Sequence, residues 1–139
     1  MEYLSNCASQ TKKIAARVLI NLKDINLLCL YGELGSGKTT FVQGLAKALG
    51  IQKRILSPTF IILRQYKLKK GNFYHLDCYR VESEKDFKSI DLPEIWSDPK
   101  NLVVIEWADR IQKILPRSRI DIKFEYVARN KRKITVGKD

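Results

Sequence analysis

Residues 26–50 carry three patterns in a fixed order: a continuous apolar run, "NLLCLYG", a glycine-rich stretch, "ELGSGKTT", and an apolar-periodic segment closed by Gly50. An unbroken apolar run ending in glycine is the pattern of a strand buried on both faces of a parallel sheet. The segment "KTTFVQGLAKALG" (38–50) then reads as a helix, stopped by a glycine in the manner of a C-cap. Strand, glycine loop and helix in this order commit the chain to an α/β fold.

The stretch between strand and helix matches a phosphate-binding loop in full: Gly32-x4-Gly37-Lys38-Thr39. Glycines at 32, 35 and 37 permit backbone conformations that a Cβ would block, so successive N–H groups can face phosphate oxygens. Lys38 supplies a compact positive charge for the β- and γ-phosphates, and the Thr39 hydroxyl is placed to ligate Mg²⁺. The helix that begins there turns its positive end to the anion.

The remaining segments extend the same architecture. In "SQTKKIAARVLINL", Ile14, Ala15, Val18, Leu19 and Leu22 share a helical face, with Ser9 in position to cap it. Residues 60–68 and 72–80 read as a hairpin turning at "KKG". Residues 83–91 read as a short helix capped by Ser83, with Pro93 breaking regularity beyond it. In 101–116 a buried strand, Leu102–Glu106, passes into a helix that ends before Pro116. Alternation over 119–127 predicts a strand that pairs with 131–137 across "ARN". The fold predicted is a three-layer domain like those of the P-loop NTPases, with a parallel core sheet and antiparallel additions at its edges. The whole chain, 1–139, reads as one domain, since no linker or repeat divides it.

A phosphate loop needs a carboxylate near it to complete the Mg²⁺ shell, commonly at the end of a neighbouring strand. Glu106 ends the apolar run "LVVI", and Asp77 ends "YHLD". Glu106 reads as the metal ligand, the competing role being an acid at a helix start. Asp77 can pair with Arg80 or order the attacking water, and both roles remain open. His75, the only histidine, alternates with Phe73 and Asp77, so it serves either as a structural partner of the acid or in catalysis.

Composition narrows the setting. No apolar run approaches the roughly 18 residues that span a bilayer, and "MEYLSNCASQTKK" lacks the pattern of a signal peptide. Cys7, Cys29 and Cys78 form neither a CxxC pair nor a disulfide framework, which points to a reducing cytoplasm. The formal net charge of +11 includes the basic run "RNKRK" at 129–133. Such a field attracts RNA, acidic proteins or nucleotide without choosing among them, and a lysine-rich solvated surface would give the same sum.

Three motifs stand in order: "GELGSGKTTF"; "SPTF" (57–60) with "HLDCYR" (75–80); and "IEW" (105–107). In that combination the chain resembles the TsaE family, also called YjeE, small bacterial P-loop ATPases of tRNA threonylcarbamoyladenosine synthesis. The resemblance runs from about Ser9 to the C-terminal strands. It implies a cytoplasmic protein that binds ATP and Mg²⁺, hydrolyses ATP weakly alone, and acts with the TsaD–TsaB complex. That complex transfers a threonylcarbamoyl group to an adenosine beside the anticodon, and hydrolysis resets it between turnovers. By position, Gly35, Ser36, Gly37, Lys38, Thr39 and Thr40 would hold the phosphates, and Thr39 and Glu106 the metal. Trp107 would meet the nucleotide or a partner surface, and Ser57-Pro58-Thr59 would form a switch-like loop near the γ-phosphate. Asp77 would lie at the hydrolytic centre, with the attacking water ordered near it or near Thr59, and the start of the first helix, from Ser9 to Thr11, would lie near the adenine. The basic C-terminal run departs from the family pattern and could approach the tRNA or an acidic partner. Residue chemistry alone also admits a small-molecule or nucleoside kinase, and a non-hydrolysing RNA-binding module. The lack of an NKxD-like motif favours ATP over GTP.

Overall fold

The computed structural model describes residues 1–53, 55, 63–87 and 89–138, with the backbone alone at Glu84 and Lys138. Seven strands form one mixed sheet: β1 (Glu2–Ser5), β2 (Leu27–Tyr31), β3 (Leu63–Lys67), β4 (Asn72–Asp77), β5 (Leu102–Glu106), β6 (Ile120–Ala128) and β7 (Lys131–Lys138). Their spatial order is β1-β7-β6-β2-β5-β4-β3. The inner pairs β6–β2, β2–β5 and β5–β4 are parallel. The outer pairs β1–β7, β7–β6 and β4–β3 are antiparallel. The predicted parallel core with antiparallel edges is therefore what the chain forms.

Among the described residues three α-helices accompany the sheet: α1 (Ala8–Ile20), α2 (Lys38–Ala48) and α3 (Leu92–Ser97). One core packs α1 and α2 on the sheet through Ile14, Val18, Phe41 and Leu45 against Leu28, Leu30, Val104 and Ile122. Phe41 meets Phe124 edge-on, with centroids 5.4 Å apart, a favourable aromatic geometry. The other core gathers Leu27, Cys29, Leu76, Val103 and Ile105 with Phe87, Leu92 and Ile111. Alternate residues of β2 thus feed opposite cores, which is why its run is continuously apolar.

The boundaries differ from the sequence reading in several places. The residue at the N-cap of α1 is Cys7, and Ser9 lies inside the helix. Helix α2 ends at Ala48, with Gly50 two residues beyond it at φ +82°. The first hairpin strand begins at Leu63, and residues 60–62 lie outside the described ones; the second ends at Asp77. The helix predicted over 83–91 is a 3-10 turn at Glu84–Phe87. Pro93 does not break structure: it stands in the first turn of α3, where its missing N–H is harmless, behind the Asp91 cap that accepts from the Glu94 N–H at 3.2 Å. After β5 the chain forms a 3-10 segment, Ala108–Ile114, with non-helical torsions at Ile111, instead of the α-helix expected. Strand β1 is not predicted by the sequence, being four residues with one side chain buried. None of the described helices is long and apolar enough to cross a membrane.

Candidate functional site

The loop between β2 and α2 lies at the C-terminal edge of the parallel core, the edge where open α/β sheets place their ligands. β5 is hydrogen-bonded to β2 on one side and to β4 on the other, and Asp77 stands in register with Glu106. The topology therefore sets the glycine loop, Glu106 and Asp77 in a row along one edge. Sequence order alone does not disclose that row.

Two glycines are sterically required. At Gly32, with φ +151°, a Cβ would lie 2.7 Å from both the Phe124 carbonyl oxygen and Ser36 Oγ. Gly37 takes φ +105° at the N-cap of α2, a conformation that L side chains rarely adopt. Among the described residues no side chain caps α2 and no acid occupies its first turn, which leaves its first N–H groups and its positive end to an anion.

Lys38 is 4% exposed and folds back over the loop. Its Nζ donates to the carbonyl oxygens of Gly32 (2.5 Å) and Glu33 (2.9 Å) and to Ser36 Oγ (3.4 Å). The ammonium also sits 4.2 Å from the centroid of the Trp107 ring, a cation–π contact. Burial lowers its pKa, while Glu106, Asp77, Asp109 and Glu33 pull the other way. A desolvated ammonium facing carboxylates is suited to a polyanion that adds charge where burial has removed solvent.

Glu106, 2% exposed, is held on both oxygens. Thr39 Oγ1 donates to Oε1 at 3.0 Å, and His75 Nε2 donates to Oε2 at 2.5 Å. His75 is fully buried, and its Nδ1 has no hydrogen-bond partner among the described residues. Among the described residues no group of three or more His, Cys, Asp or Glu could hold a metal ion. The oxygen pair of Thr39 and Glu106 instead fits a hard cation that draws its other ligands from phosphate and water, the usual habit of Mg²⁺.

Gly35, Gly37, Lys38, Thr39, Thr40, Asp77, Glu106 and Trp107 line one cleft of about 270 Å³. The family resemblance gives every one of them a place at the nucleotide, its metal or its hydrolysis; for Trp107 a partner surface is the other reading. Ser36 lies 2% exposed within the loop. A second cleft of about 200 Å³ shares Gly35, Gly37 and Thr40 and continues to Ser5, Cys7 and Thr11. Thr11 is buried there, its hydroxyl 2.7 Å from that of Ser5. Ser57, Pro58 and Thr59 lie outside the described residues.

Residues that the sequence does not single out complete both clefts. Tyr79 lines the first and packs on Trp107 with centroids 5.0 Å apart; its place in "HLDCYR" is the available signal. Trp107 itself takes φ +58°, which for a bulky residue costs about 1–3 kcal/mol and is characteristic of functional sites. Arg132, within the basic run, lines the second cleft. It donates through Nη2 to the Gly35 carbonyl at 3.2 Å and packs 4.7 Å from the Tyr126 ring. No periodicity marks it, because the contact spans 97 residues of chain.

Residues 5–134 match the family model described as "Threonylcarbamoyl adenosine biosynthesis protein TsaE". The chain is 38% identical over 137 residues to the tRNA threonylcarbamoyladenosine biosynthesis protein TsaE of Treponema pallidum, covering 99% of this chain and 100% of that one. It is 36% identical over 126 residues to the protein of that name from Bacillus subtilis, covering 91% and 78%. The crystal structure of Bacillus subtilis YdiB superposes with a TM-score of 0.81 at 30% identity, covering all of this chain and 86% of that one. The chain belongs to the TsaE family.

Proposed function

We propose that this protein is a Mg²⁺-dependent ATPase of P-loop NTPase type that serves the TsaD–TsaB complex in tRNA threonylcarbamoyladenosine synthesis. The observation that carries the reading is the Thr39–Glu106 pair beside a desolvated Lys38 at the mouth of the glycine loop. The relatives' names support the pathway. The cytoplasm, where tRNA is modified, is the compartment this reading requires.

In this reading the loop's N–H groups and Lys38 bind the β- and γ-phosphates. Mg²⁺, held by Thr39 and Glu106, would neutralise charge on the phosphate oxygens. His75 fixes the Glu106 carboxylate from behind, and Trp107 walls the cleft against water beside Lys38. Water attacks the γ-phosphorus and the bond to the β–γ bridging oxygen breaks. The water's proton passes to Asp77, and ADP leaves with the bond's electron pair. Arranging charge and position in this way is most of what phosphoryl transfer asks of a protein.

The test is release of inorganic phosphate from ATP, by the protein alone and with TsaD and TsaB added. Stimulation by the partners is expected, with Lys38→Ala and Glu106→Gln each lowering the stimulated rate roughly 100-fold or more, the scale of a removed electrostatic anchor. Wild-type rates in both variants would refute the assignment. Label appearing on a small acceptor instead of as free phosphate would replace it with a kinase.

A further inference from the structure

The excess positive charge is not spread evenly along the chain. Eight of the 26 Lys and Arg, and none of the 15 Asp and Glu, lie between Leu34 and Leu76. The other 96 residues hold 18 basic against 15 acidic groups, so they carry only +3 of the +11. A general lysine bias would not empty 43 consecutive residues of carboxylates.

The fold collects much of this charge in one place. The C-terminus of α2 and the β3–β4 hairpin enclose an open groove of about 1140 Å³ into which Lys53, Lys67, Lys69 and Lys70 are set, with no Asp or Glu among the described residues along it. All four lysines are exposed and none is in an ion pair among the described residues. An adjoining hollow that shares Lys53 adds Lys12 and Lys47, again with no carboxylate among its described lining residues. The groove lies at the far end of the domain from the phosphate loop. Helix α2 separates the two by its 11 residues, roughly 16 Å at 1.5 Å per residue, and β4 runs from Asn72 at the groove to Asp77 at the site.

We infer that this groove binds the phosphodiester backbone of RNA, independently of the nucleotide at the loop. Its chemistry distinguishes RNA from an acidic protein. Lysine is depleted at the cores of protein–protein interfaces, whereas nucleic-acid interfaces are strongly positive and polar. Between the lysines the groove presents the amides of Gln52, Gln65 and Asn72, which suit ribose hydroxyls and phosphate oxygens. The lysines act as mobile point charges, so the groove selects a phosphate track and not a base sequence.

The experiment titrates a fluorescein-labelled, unmodified tRNA transcript with the whole chain, without ATP, across a range of salt. The groove variant carries Lys53, Lys67, Lys69 and Lys70 all changed to Gln. A control removes the same net charge elsewhere, at the exposed residues Lys85, Lys113, Arg117 and Lys123. Binding is expected to weaken about tenfold or more in the groove variant. The log–log salt slope should fall by about 3 there, since each phosphate neutralised by a lysine adds ~0.7–0.9 to it. The control should stay within about twofold of wild type, and both variants should release phosphate from ATP as the parent protein does. Equal losses in the two variants, or no binding by the wild type, would overturn the inference. So would groove-dependent binding of poly-L-glutamate as tight as that of tRNA, which would assign the groove to an acidic protein. Groove-dependent RNA binding by a wild-type protein that releases no phosphate from ATP would uphold the groove and overturn the ATPase reading alone.

Discussion

Glu106 shows how a single buried carboxylate is fixed in place, and under the proposed function that carboxylate would hold the metal. Both its oxygens are engaged, one by the Thr39 hydroxyl and one by His75, with almost no solvent access. Removing a donor to a buried acceptor costs about 1–3 kcal/mol, more than the hydrogen bond is worth in net terms. His75→Ala is therefore expected to lose stability on that scale in denaturant unfolding. It should also raise the Mg²⁺ concentration needed for half-maximal phosphate release, because Glu106 is no longer oriented. His75→Gln retains an amide donor at a similar reach and should recover most of both. If the two variants behave alike, His75 fills volume and does not position the carboxylate. The sequence marks each of these residues separately: a lone histidine, an acid after an apolar run, a threonine after Lys38. Their meeting depends on β5 lying between β2 and β4, and no local pattern encodes that adjacency. Arg132 at the Gly35 carbonyl is hidden from the sequence for the same reason.

At the scale of elements, periodicity locates what is long and regular, and misses what is short or context-made. β2, β5, α1 and α2 follow directly from their apolar patterns. β1 exists only because β7 offers it an edge, and α3 only because Asp91 and Pro93 start a helix of six residues. The packing of α1 on α2 carries a further consequence. A Cβ at Gly44 would fall 2.6 Å from Lys12 Cα, 2.9 Å from the Lys12 carbonyl oxygen and 3.0 Å from Ala15 Cβ. Alanine raises helix propensity by about 1 kcal/mol over glycine, yet here it collides with the backbone of the neighbouring helix, and overpacking costs typically 1–3 kcal/mol or more. The steric effect wins, since neither helix can yield without disturbing the sheet contacts of Phe41 and Leu45 beneath them. Gly44→Ala is expected to lower the thermal midpoint by a few degrees, roughly 3–4 °C for each kcal/mol of stability removed at this size. An unchanged or higher midpoint would show that the two helices separate at no cost.

The whole molecule is built on a sheet whose two faces differ, and its response to pH follows from the face bearing Cys29 and Cys78. Both thiols are fully buried. Burial, reinforced by Asp121, pushes the Cys29 thiol up to about 12, and burial reinforced by Asp77 raises Cys78 as well. Tyr31 is raised chiefly by burial, with Cys29 and Asp121 adding to it. In each case the folded group holds its proton at a pH where the unfolded chain releases it, so stability is intact below the unfolded pKa and falls as pH climbs past it. Lys38 acts in the opposite sense: its lowered pKa makes the folded state gain as pH rises toward the ordinary lysine range. Three groups oppose one, so stability should fall above pH ~9. Each buried thiol accounts for about 1.4 kcal/mol by pH 10, one unit past its unfolded value. Urea unfolding at pH 7, 9 and 10 measures this directly. In Cys29→Ala/Cys78→Ala the stability at pH 7 drops through poorer packing, but the fall from pH 7 to pH 10 should shrink by about 3 kcal/mol, two thiols' share. An alkaline slope identical to that of the parent protein would mean that the thiols titrate in the folded state, and that this face of the sheet admits water.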